Sequence, residues 1–358
     1  MSGPLSGVRI IEMGGIGPAP FAAMLLADHG AEVIRIDRPN TTFGILDAML
    51  RSRKLVELDL KLADDIGTAR ELIRSADILI ESFRPGTMER LGLGPDVLMA
   101  DNPKLIYCRM TGWGQTGPYA PYAGQDINYI SLSGALHAVG TAEKPIPPLI
   151  LGGDLGGGGM FLAFSAMSAL HHATMTGEGQ VIDCAMTEGA GLLMTAFYEL
   201  NARGQWHNRR AANHLDGGAH FYNAYETADG KFISLAPLEP QFYALFRAKV
   251  GLEDDPQYDE QWDQAKWPAL IERLTKLFKT KSRDEWCTLL EKTDVCFAPV
   301  LSMAEAPHHE HAQARESFVV VNKITQPAPA PRFSATPLTK PSAPKKYRVA
   351  DLLEKNKT

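Results

Sequence analysis

Short apolar runs alternate with helical stretches through the N-terminal half of the chain, and this alternation limits the fold more than any other feature. Residues 8–12 and 31–37 have the composition of buried strands, and an apolar helical stretch at residues 21–28 separates them. A strand, a loop, a helix and a second strand form a unit whose strands lie parallel, with a right-handed crossover. The pattern therefore predicts an α/β fold with a parallel sheet.

The same alternation continues further along the chain. It predicts a strand over residues 54–60, a helix over 64–75 and a strand over 76–82. An apolar helix is expected over residues 160–175, and a further strand over 179–186. These segments extend the parallel sheet beyond its first unit.

The turn after the first strand has part of a dinucleotide-binding pattern. Gly15 and Gly17 follow the strand, and Asp37 stands about twenty residues further on, as in that motif. Pro20 occupies the position where the motif has its third small residue. We therefore interpret this stretch as a tight strand-to-helix turn and not as an NAD site.

The chain has 358 residues, which is more than one ordinary hydrophobic core supports, so we expect two domains. A polar stretch rich in Arg, Asn, His and Gly at residues 201–218 resembles a linker. A β-hairpin with an Asp229-Gly230 turn follows it and is expected to begin the second domain.

Composition excludes several classes of partner. The net charge is −6 and no Lys/Arg-rich run occurs, which argues against nucleic acid. The four cysteines show no metal-binding spacing and suit a reducing compartment. The longest apolar run, near residues 160–170, is too short and too interrupted by serine to cross a membrane, and no signal peptide is visible. We expect a cytoplasmic protein with no metal.

Basic residues follow successive predicted strands. Arg38, Lys61 and Arg84 stand near strand ends, and Arg90 is close in sequence to the last of them. The carboxyl ends of parallel strands meet at one edge of a sheet, which is where ligands bind. Cations gathered there favour a ligand with phosphate groups.

Two glycine-rich stretches are candidate sites. Gly112, Gly114 and Gly117 follow an apolar segment and let the backbone approach a ligand, although they also suit an ordinary turn. Asp154 lies among six glycines just before the predicted helix at residues 160–175. It is either the N-cap of that helix or an anionic base that the helix N-terminus keeps ionised.

Taken together, motifs along nearly the whole chain resemble the family III CoA-transferase superfamily, and within it the racemases of 2-methylacyl-CoA thioesters. The segments that carry the resemblance are residues 4–9 (PLSGVR), 15–18 (GIGP), 35–39 (RIDRP), 83–86 (FRPG), 89–95 (ERLGLGP), 109–118 (RMTGWGQTGP), 126–129 (DINY), 153–154 (GD), 215–218 (LDGG) and 239–243 (EPQFY).

The resemblance implies an α/β large domain with a doubly wound parallel sheet, built from both ends of the chain, and a smaller α+β domain from the middle. We place the large CoA-binding domain at residues 1–200, a linker at 201–220, the small domain at 221–315, and a segment returning to the large domain at 316–358. It also implies an interlocked homodimer whose active sites lie between the large domain of one subunit and the small domain of the other.

The resemblance further implies a substrate and its contacts. Members bind acyl-CoA thioesters without a metal, PLP or NAD, so no cofactor is expected and CoA is part of the substrate. Arg38, Leu60, Arg84 and Arg90 correspond to contacts with the CoA portion.

The chemistry implied by the resemblance is a 1,1-proton transfer at the carbon α to the thioester, through an enolate. Asp154 corresponds to one proton carrier, with Glu239 of the partner subunit as support. The backbone N–H of Asp126, at a helix start, corresponds to the donor that stabilises the enolate.

One position departs from this pattern. The family has a catalytic histidine directly before the Asp-Ile-Asn-Tyr motif, and here that position is Gln125. A neutral amide carries no proton near pH 7, so we expect binding to survive and racemisation to be impaired. His137 is too far along the helix to replace it, whereas Asp126 is a conceivable substitute. Two alternatives stay open: a CoA-transferase in which Asp154 attacks the thioester to form a mixed anhydride, and an acyl-CoA-binding relative without turnover.

Overall fold

A computed structural model describes residues 2–41 and 47–353, which fall into two compact units. The first comprises residues 1–135, 148–194 and 310–358, and the second comprises residues 136–147 and 195–309. These bounds differ from the expected ones at residues 136–147 and 195–220, which group with the second unit, and at residues 310–315, which group with the first. Arg210 contributes to this grouping, because its guanidinium donates to the carbonyl oxygens of His137 and Thr141, both at 2.9 Å.

The first unit contains a seven-stranded sheet in which every neighbouring pair is parallel. The strand order across it is Lys345–Lys346, Lys54–Glu57, Glu32–Asp37, Arg9–Met13, Ile78–Glu81, Ile106–Thr111 and Gln180–Ala185. The predicted α/β class and the expected strands are confirmed, although the strand expected at residues 54–60 ends at Glu57.

Helices cover both faces of this sheet. Alternate side chains of a strand point to opposite faces, so Ile10 packs in one hydrophobic cluster and Ile11 in the other. One cluster includes helices Pro18–Asp28 and Phe161–Thr176, and the other includes helix Ala63–Arg74. The sheet is therefore doubly wound.

Shorter elements complete the first unit. They are the helices Thr87–Arg90, Pro95–Asp101, Asp126–Leu132, Met186–Leu193, Glu310–Ala314 and Val349–Leu353, the 3₁₀ turn Asp47–Leu50, the π-helical segment Leu151–Met160, and the antiparallel strands Phe318–Val321 and Ile324–Pro327. A further short helix, Ala135–Ala138, stands where the chain passes between the units. None of the helices in residues 2–41 and 47–353 is both long and apolar enough to span a membrane.

The first helix begins earlier than the sequence suggested. We expected it at residue 21, but it starts at Pro18, directly after Gly17 with φ 72°. The first turn of a helix uses none of its own N–H groups in helical bonds, so Pro18 and Pro20 fit there without losing a hydrogen bond. The prolines therefore shape the first turn instead of preceding it.

The C-terminal segment belongs to the first unit. Lys345 and Lys346 pair in parallel with Lys54 and Leu55, at the edge of the sheet. Leu352 is buried in the core, and its carbonyl oxygen accepts a hydrogen bond from the Arg9 guanidinium at 2.7 Å. Both ends of the chain thus contribute to one sheet.

The second unit is a small α+β structure. Three antiparallel strands, Asn223–Glu226, Phe232–Leu235 and Phe297–Val300, form its sheet. The predicted hairpin is present, and Gly230 at its turn has φ 73°. Aromatic side chains fill the core, including Phe246, Phe278 and Trp286. Its helical elements are Thr195–Ala202, Pro240–Lys249, Pro256–Tyr258, Trp267–Phe278, Arg283–Leu290 and Ala306–His308.

Candidate active site

A cleft of about 510 Å³ opens where three neighbouring strands of the large sheet end. Its walls include the loops after strands Arg9–Met13, Ile78–Glu81 and Ile106–Thr111. Asp154 and Gln125 both line it. Two of the positions predicted to be catalytic therefore share one cleft, at the edge of the sheet where ligands of α/β proteins bind.

Asp154 lies within the π-helical segment Leu151–Met160, and not at the N-cap of the following helix. The N-cap interpretation is therefore wrong, because π-helical turns run continuously into helix Phe161–Thr176. Insertions of this kind recur at functional sites. The Asp154 side chain is half-buried and faces the cleft.

The glycines around Asp154 let backbone segments touch. A Cβ atom on Gly189 would lie 1.8 Å from the carbonyl oxygen of Gly157, and one on Gly158 would lie 2.9 Å from Pro18. At Gly17, a Cβ atom would lie 2.8 Å from Oδ2 of Asp154. Only glycine permits these approaches. The glycines therefore allow Asp154 to lie close to the turn that follows strand Arg9–Met13.

Asp126 holds the backbone at Asp154. Its Oδ1 accepts hydrogen bonds from the N–H groups of Gly153 and Asp154, both at 2.7 Å. Its Oδ2 is buried and has no hydrogen-bond partner among the described residues. Burial raises the pKa of Asp154 to about 6, and the Asp126 charge adds to this increase. Asp154 is therefore mostly ionised at neutral pH yet close to its titration point, which suits a general base.

Gln125 precedes helix Asp126–Leu132, and its side chain is exposed. Its backbone N–H donates to Oδ1 of Asn128 at 3.0 Å. The Gln125 backbone therefore takes part in the hydrogen bonding at the start of this helix. Asp126 itself is the first residue of the helix, where backbone N–H groups have no helical acceptor.

Two aromatic residues that we had assigned no role also line the cleft. Tyr129 is buried, and its ring meets Trp113 edge-on at 4.8 Å. The indole N–H of Trp113 is buried without a hydrogen-bond partner among the described residues, so it is available to a bound ligand. Both residues occur in motifs quoted above, but the motifs did not indicate a function for either side chain.

A second cleft of about 380 Å³ adjoins the first. Gly15, Ile16 and Phe83 line both. Arg38 and Leu60 line the second cleft, and Arg84 lines the first. The two clefts are therefore continuous, and the cationic side chains of Arg38 and Arg84 lie along them.

Arg90 lies apart from both clefts. Its guanidinium donates to Oγ1 of Thr87 at 2.9 Å, and its side chain is exposed. Of the four residues matched to CoA contacts, three therefore line the clefts and Arg90 does not.

A buried ion network supports the loop at residues 82–85. Glu81 Oε1 accepts from Arg109 Nε at 3.1 Å, and Arg109 also pairs with Glu89. Glu81 Oε2 accepts the N–H of Phe83 at 2.7 Å. Burial raises the pKa of Glu81 to about 7. The sequence analysis assigned Glu81 no role, because the local pattern does not show that its carboxylate meets Arg109 and the N–H of Phe83.

Glu239 lies in the second unit, where it precedes helix Pro240–Lys249 in an extended conformation. All the residues that line the two clefts belong to the first unit. Within residues 2–41 and 47–353, no group of three or more His, Cys, Asp or Glu side chains is arranged to hold a metal ion.

Known proteins resemble this chain over nearly all of its length. The family model described as CoA-transferase family III matches residues 5–346. The α-methylacyl-CoA racemase of Mus musculus is 42% identical over 349 residues, which cover 97% of this chain and 91% of that protein. The human α-methylacyl-CoA racemase is 41% identical, with 93% and 87% covered. The succinyl-CoA–L-malate CoA-transferase α subunit of Chloroflexus aurantiacus is 31% identical, with 93% and 84% covered.

Solved structures show the same fold. A CAIB/BAIF family protein from Brucella suis matches with a TM-score of 0.85 at 24% identity, and the match covers 100% of both chains. A hypothetical protein from Mycobacterium tuberculosis matches with a TM-score of 0.81 at 26% identity, covering 98% of this chain and 99% of that one. The resemblance drawn from the motifs is confirmed.

Proposed function

The chain belongs to CoA-transferase family III, and on that premise we propose that it is an isomerase that interconverts the epimers of 2-methylacyl-CoA thioesters. The observation that carries the proposal is Asp154, a half-buried carboxylate with a pKa of about 6 in a cleft at the sheet edge. The relatives at 41–42% identity, named α-methylacyl-CoA racemases, support the substrate class.

In the proposed reaction, the Asp154 carboxylate removes the α-proton and leaves an enolate. The electron pair of the broken C–H bond moves to the thioester oxygen. The N–H of Asp126 lies at the start of a helix and is our candidate donor to that oxygen. Delivery of a different proton to the opposite face of the enolate then gives the other epimer, and Asp154 later releases the proton it took to water.

The adjoining clefts suit the two parts of the substrate. We place the thioester beside Asp154 and the CoA portion along the second cleft. Arg38 and Arg84 are exposed cations on this path and would pair with phosphates, while Leu60 provides an apolar contact. CoA enters as part of the substrate, and we propose no separate cofactor.

We also propose a homodimer in which Glu239 of the partner subunit reaches the site. Exposed apolar side chains on the first unit support an interface between copies. Phe164 is 70% exposed, Met175 is 74% exposed, and Val181 on the edge strand is 42% exposed. The four free cysteines suit the reducing cytoplasm.

Gln125 supports a lower rate of inversion than in relatives that have histidine at this position, because its amide cannot carry a proton. It is equally compatible with a second function, CoA transfer through an Asp154 acyl anhydride. The 31% identity to a CoA-transferase subunit supports this second function. A non-catalytic acyl-CoA-binding role is the third alternative.

The test is hydrogen exchange in D₂O with the separate (R)- and (S)-2-methylacyl-CoA epimers. NMR measures loss of the α-proton, and chiral analysis measures inversion. Exchange of at least one epimer, dependent on Asp154, supports the isomerase. If neither epimer exchanges and CoA passes to a free carboxylic acid, the transferase replaces it, and tight binding without either reaction identifies the non-catalytic role.

A further inference from the structure

The cleft that contains Asp154 offers few other groups able to exchange a proton. Among the described residues that line it, the remaining titratable side chains are Arg84, Tyr122 and Tyr129. Arginine stays protonated in proteins and does not serve as a proton carrier. Tyr122 is 67% exposed and belongs to a surface loop, whereas Tyr129 is 7% exposed.

The structure fixes the position of Tyr129 closely. A Cβ atom on Gly112 would lie 2.0 Å from its ring and 2.5 Å from its hydroxyl oxygen, and one on Gly124 would lie 2.6 Å from the ring. Two glycines thus leave space that the tyrosine ring fills. The edge-on contact with Trp113 holds the ring from a third side.

The phenol also lies in the electrostatic field of Asp154. Burial is the larger cause of a raised pKa at Tyr129, and the negative charge of Asp154 raises it further. A tyrosine in this setting is neutral at physiological pH and donates a hydrogen bond. It can therefore deliver a proton to a strongly basic carbon, such as the α-carbon of an enolate.

We propose that Tyr129 is the second proton carrier of this cleft and that its hydroxyl protonates the enolate on the face opposite Asp154. This inference rests on the proposed isomerase function. In the forward direction, Asp154 gains the α-proton, the Tyr129 O–H bond breaks, and a C–H bond forms on the other face. Asp154 then releases its proton to water and the tyrosinate takes one, so charge and atoms balance.

Glu239 of the partner subunit is the competing carrier, because the family resemblance assigns it a supporting role. The two assignments differ in a way that single substitutions separate. Tyr129→Phe removes only a hydroxyl group and keeps the ring that packs on Gly112 and Trp113. Glu239→Gln removes a carboxylate in the second unit. The matched control is Tyr119→Phe, since Tyr119 also packs on Trp113 but does not line the cleft.

The experiment follows deuterium exchange and inversion separately, for both epimers. We expect Tyr129→Phe to reduce inversion by at least ~100-fold, the usual contribution of a proton carrier. Exchange of the epimer whose α-proton faces Asp154 should survive, because Asp154 still removes and returns a proton on its own face. Tyr119→Phe should match the wild type. Adding Gln125→His to Tyr129→Phe should restore inversion by supplying another carrier.

Three results overturn the inference. Unchanged inversion in Tyr129→Phe excludes a proton-carrying role. Loss of exchange for both epimers, with CoA binding and the near-ultraviolet circular dichroism intact, means that Tyr129 acts on the side of Asp154. Loss of inversion in Glu239→Gln alone assigns the role to the partner's glutamate. The wild-type protein is measured before any variant. If it exchanges neither epimer, the isomerase proposal itself is wrong.

Discussion

Asp126 and Asp154 are joined by a hydrogen bond from the Asp154 backbone N–H to Asp126 Oδ1, at 2.7 Å, while the charge of one carboxylate raises the pKa of the other. A single side chain thus both positions the candidate base and makes it more basic. Because the two effects use different properties of the carboxylate, namely its acceptor oxygen and its charge, a substitution can separate them.

Asp126→Asn should shift the pH dependence of α-proton exchange. The wild-type rate should rise as the pH passes about 6, where Asp154 ionises. An asparagine oxygen still accepts both N–H groups, but the charge is gone, so the pKa of Asp154 falls. We expect the acid limb of the rate profile to move down by ~0.5–1 pH unit. Asp183→Asn is the control, since Asp183 accepts the Gln115 N–H outside the cleft. An unmoved limb would mean that Asp126 does not tune Asp154.

Gln125→His should increase inversion, because an imidazole titrates near neutral pH and exchanges protons where an amide cannot. A gain of about 100-fold is expected, the lower end of the usual contribution of a proton carrier. The substitution keeps the backbone N–H that bonds Asn128, so the helix start should persist. Chiral analysis of each product measures the gain. Gln125→Asn is the control without a titratable group, and an equal gain there would rule out the explanation.

Arg84→Ala should weaken CoA binding about tenfold, the loss expected for one charge-assisted contact with a phosphate. The loss should shrink in high salt, because exposed charges are screened. Arg90→Ala should have a smaller effect, since Arg90 lines neither cleft and donates to Thr87. Calorimetry with CoA at two salt concentrations compares them. Equal losses would place Arg90 at the CoA site after all.

Glu81→Gln should change how stability depends on pH. Burial raises the pKa of Glu81 to about 7, above the 4.5 of an unperturbed glutamate. The folded state therefore holds more protons than the unfolded state between these values, and wild-type stability falls as the pH rises towards 7. Glutamine resembles the protonated form and removes this loss. The melting temperature of Glu81→Gln relative to wild type should thus be higher at pH 8 than at pH 5. A difference in melting temperature between the variant and the wild type that is equal at pH 5 and pH 8 would contradict the raised pKa of Glu81.

The sequence predicted the sheet because its strands are short, largely apolar runs bounded by turns. Residues 31–37 read as a strand because of their β-branched residues and their position after a helix and Gly30, although three charged residues interrupt the run. The start of the first helix at Pro18 was missed because prolines look like breakers until their position in the first turn is known.

The arrangement around Asp154 was beyond local reasoning. A run of glycines has no hydrophobic period, so nothing predicted π-helical turns at residues 151–160. Their geometry comes from contact with Gly189, which is distant in sequence. The bond from Asp126 to the Asp154 backbone joins residues 28 positions apart. Such pairings depend on the folded chain, and one sequence alone does not reveal them.

The glycine contacts around Asp154 also give the two walls of the cleft unequal capacity for evolutionary change. On the Asp154 side, backbone touches backbone, and almost any added side chain collides with the neighbouring segment. On the other side, residues 121–123 are exposed and can accept new side chains and new loop lengths. A lineage that adopts a new acyl group would therefore alter this loop and leave the wall that holds Asp154 unchanged.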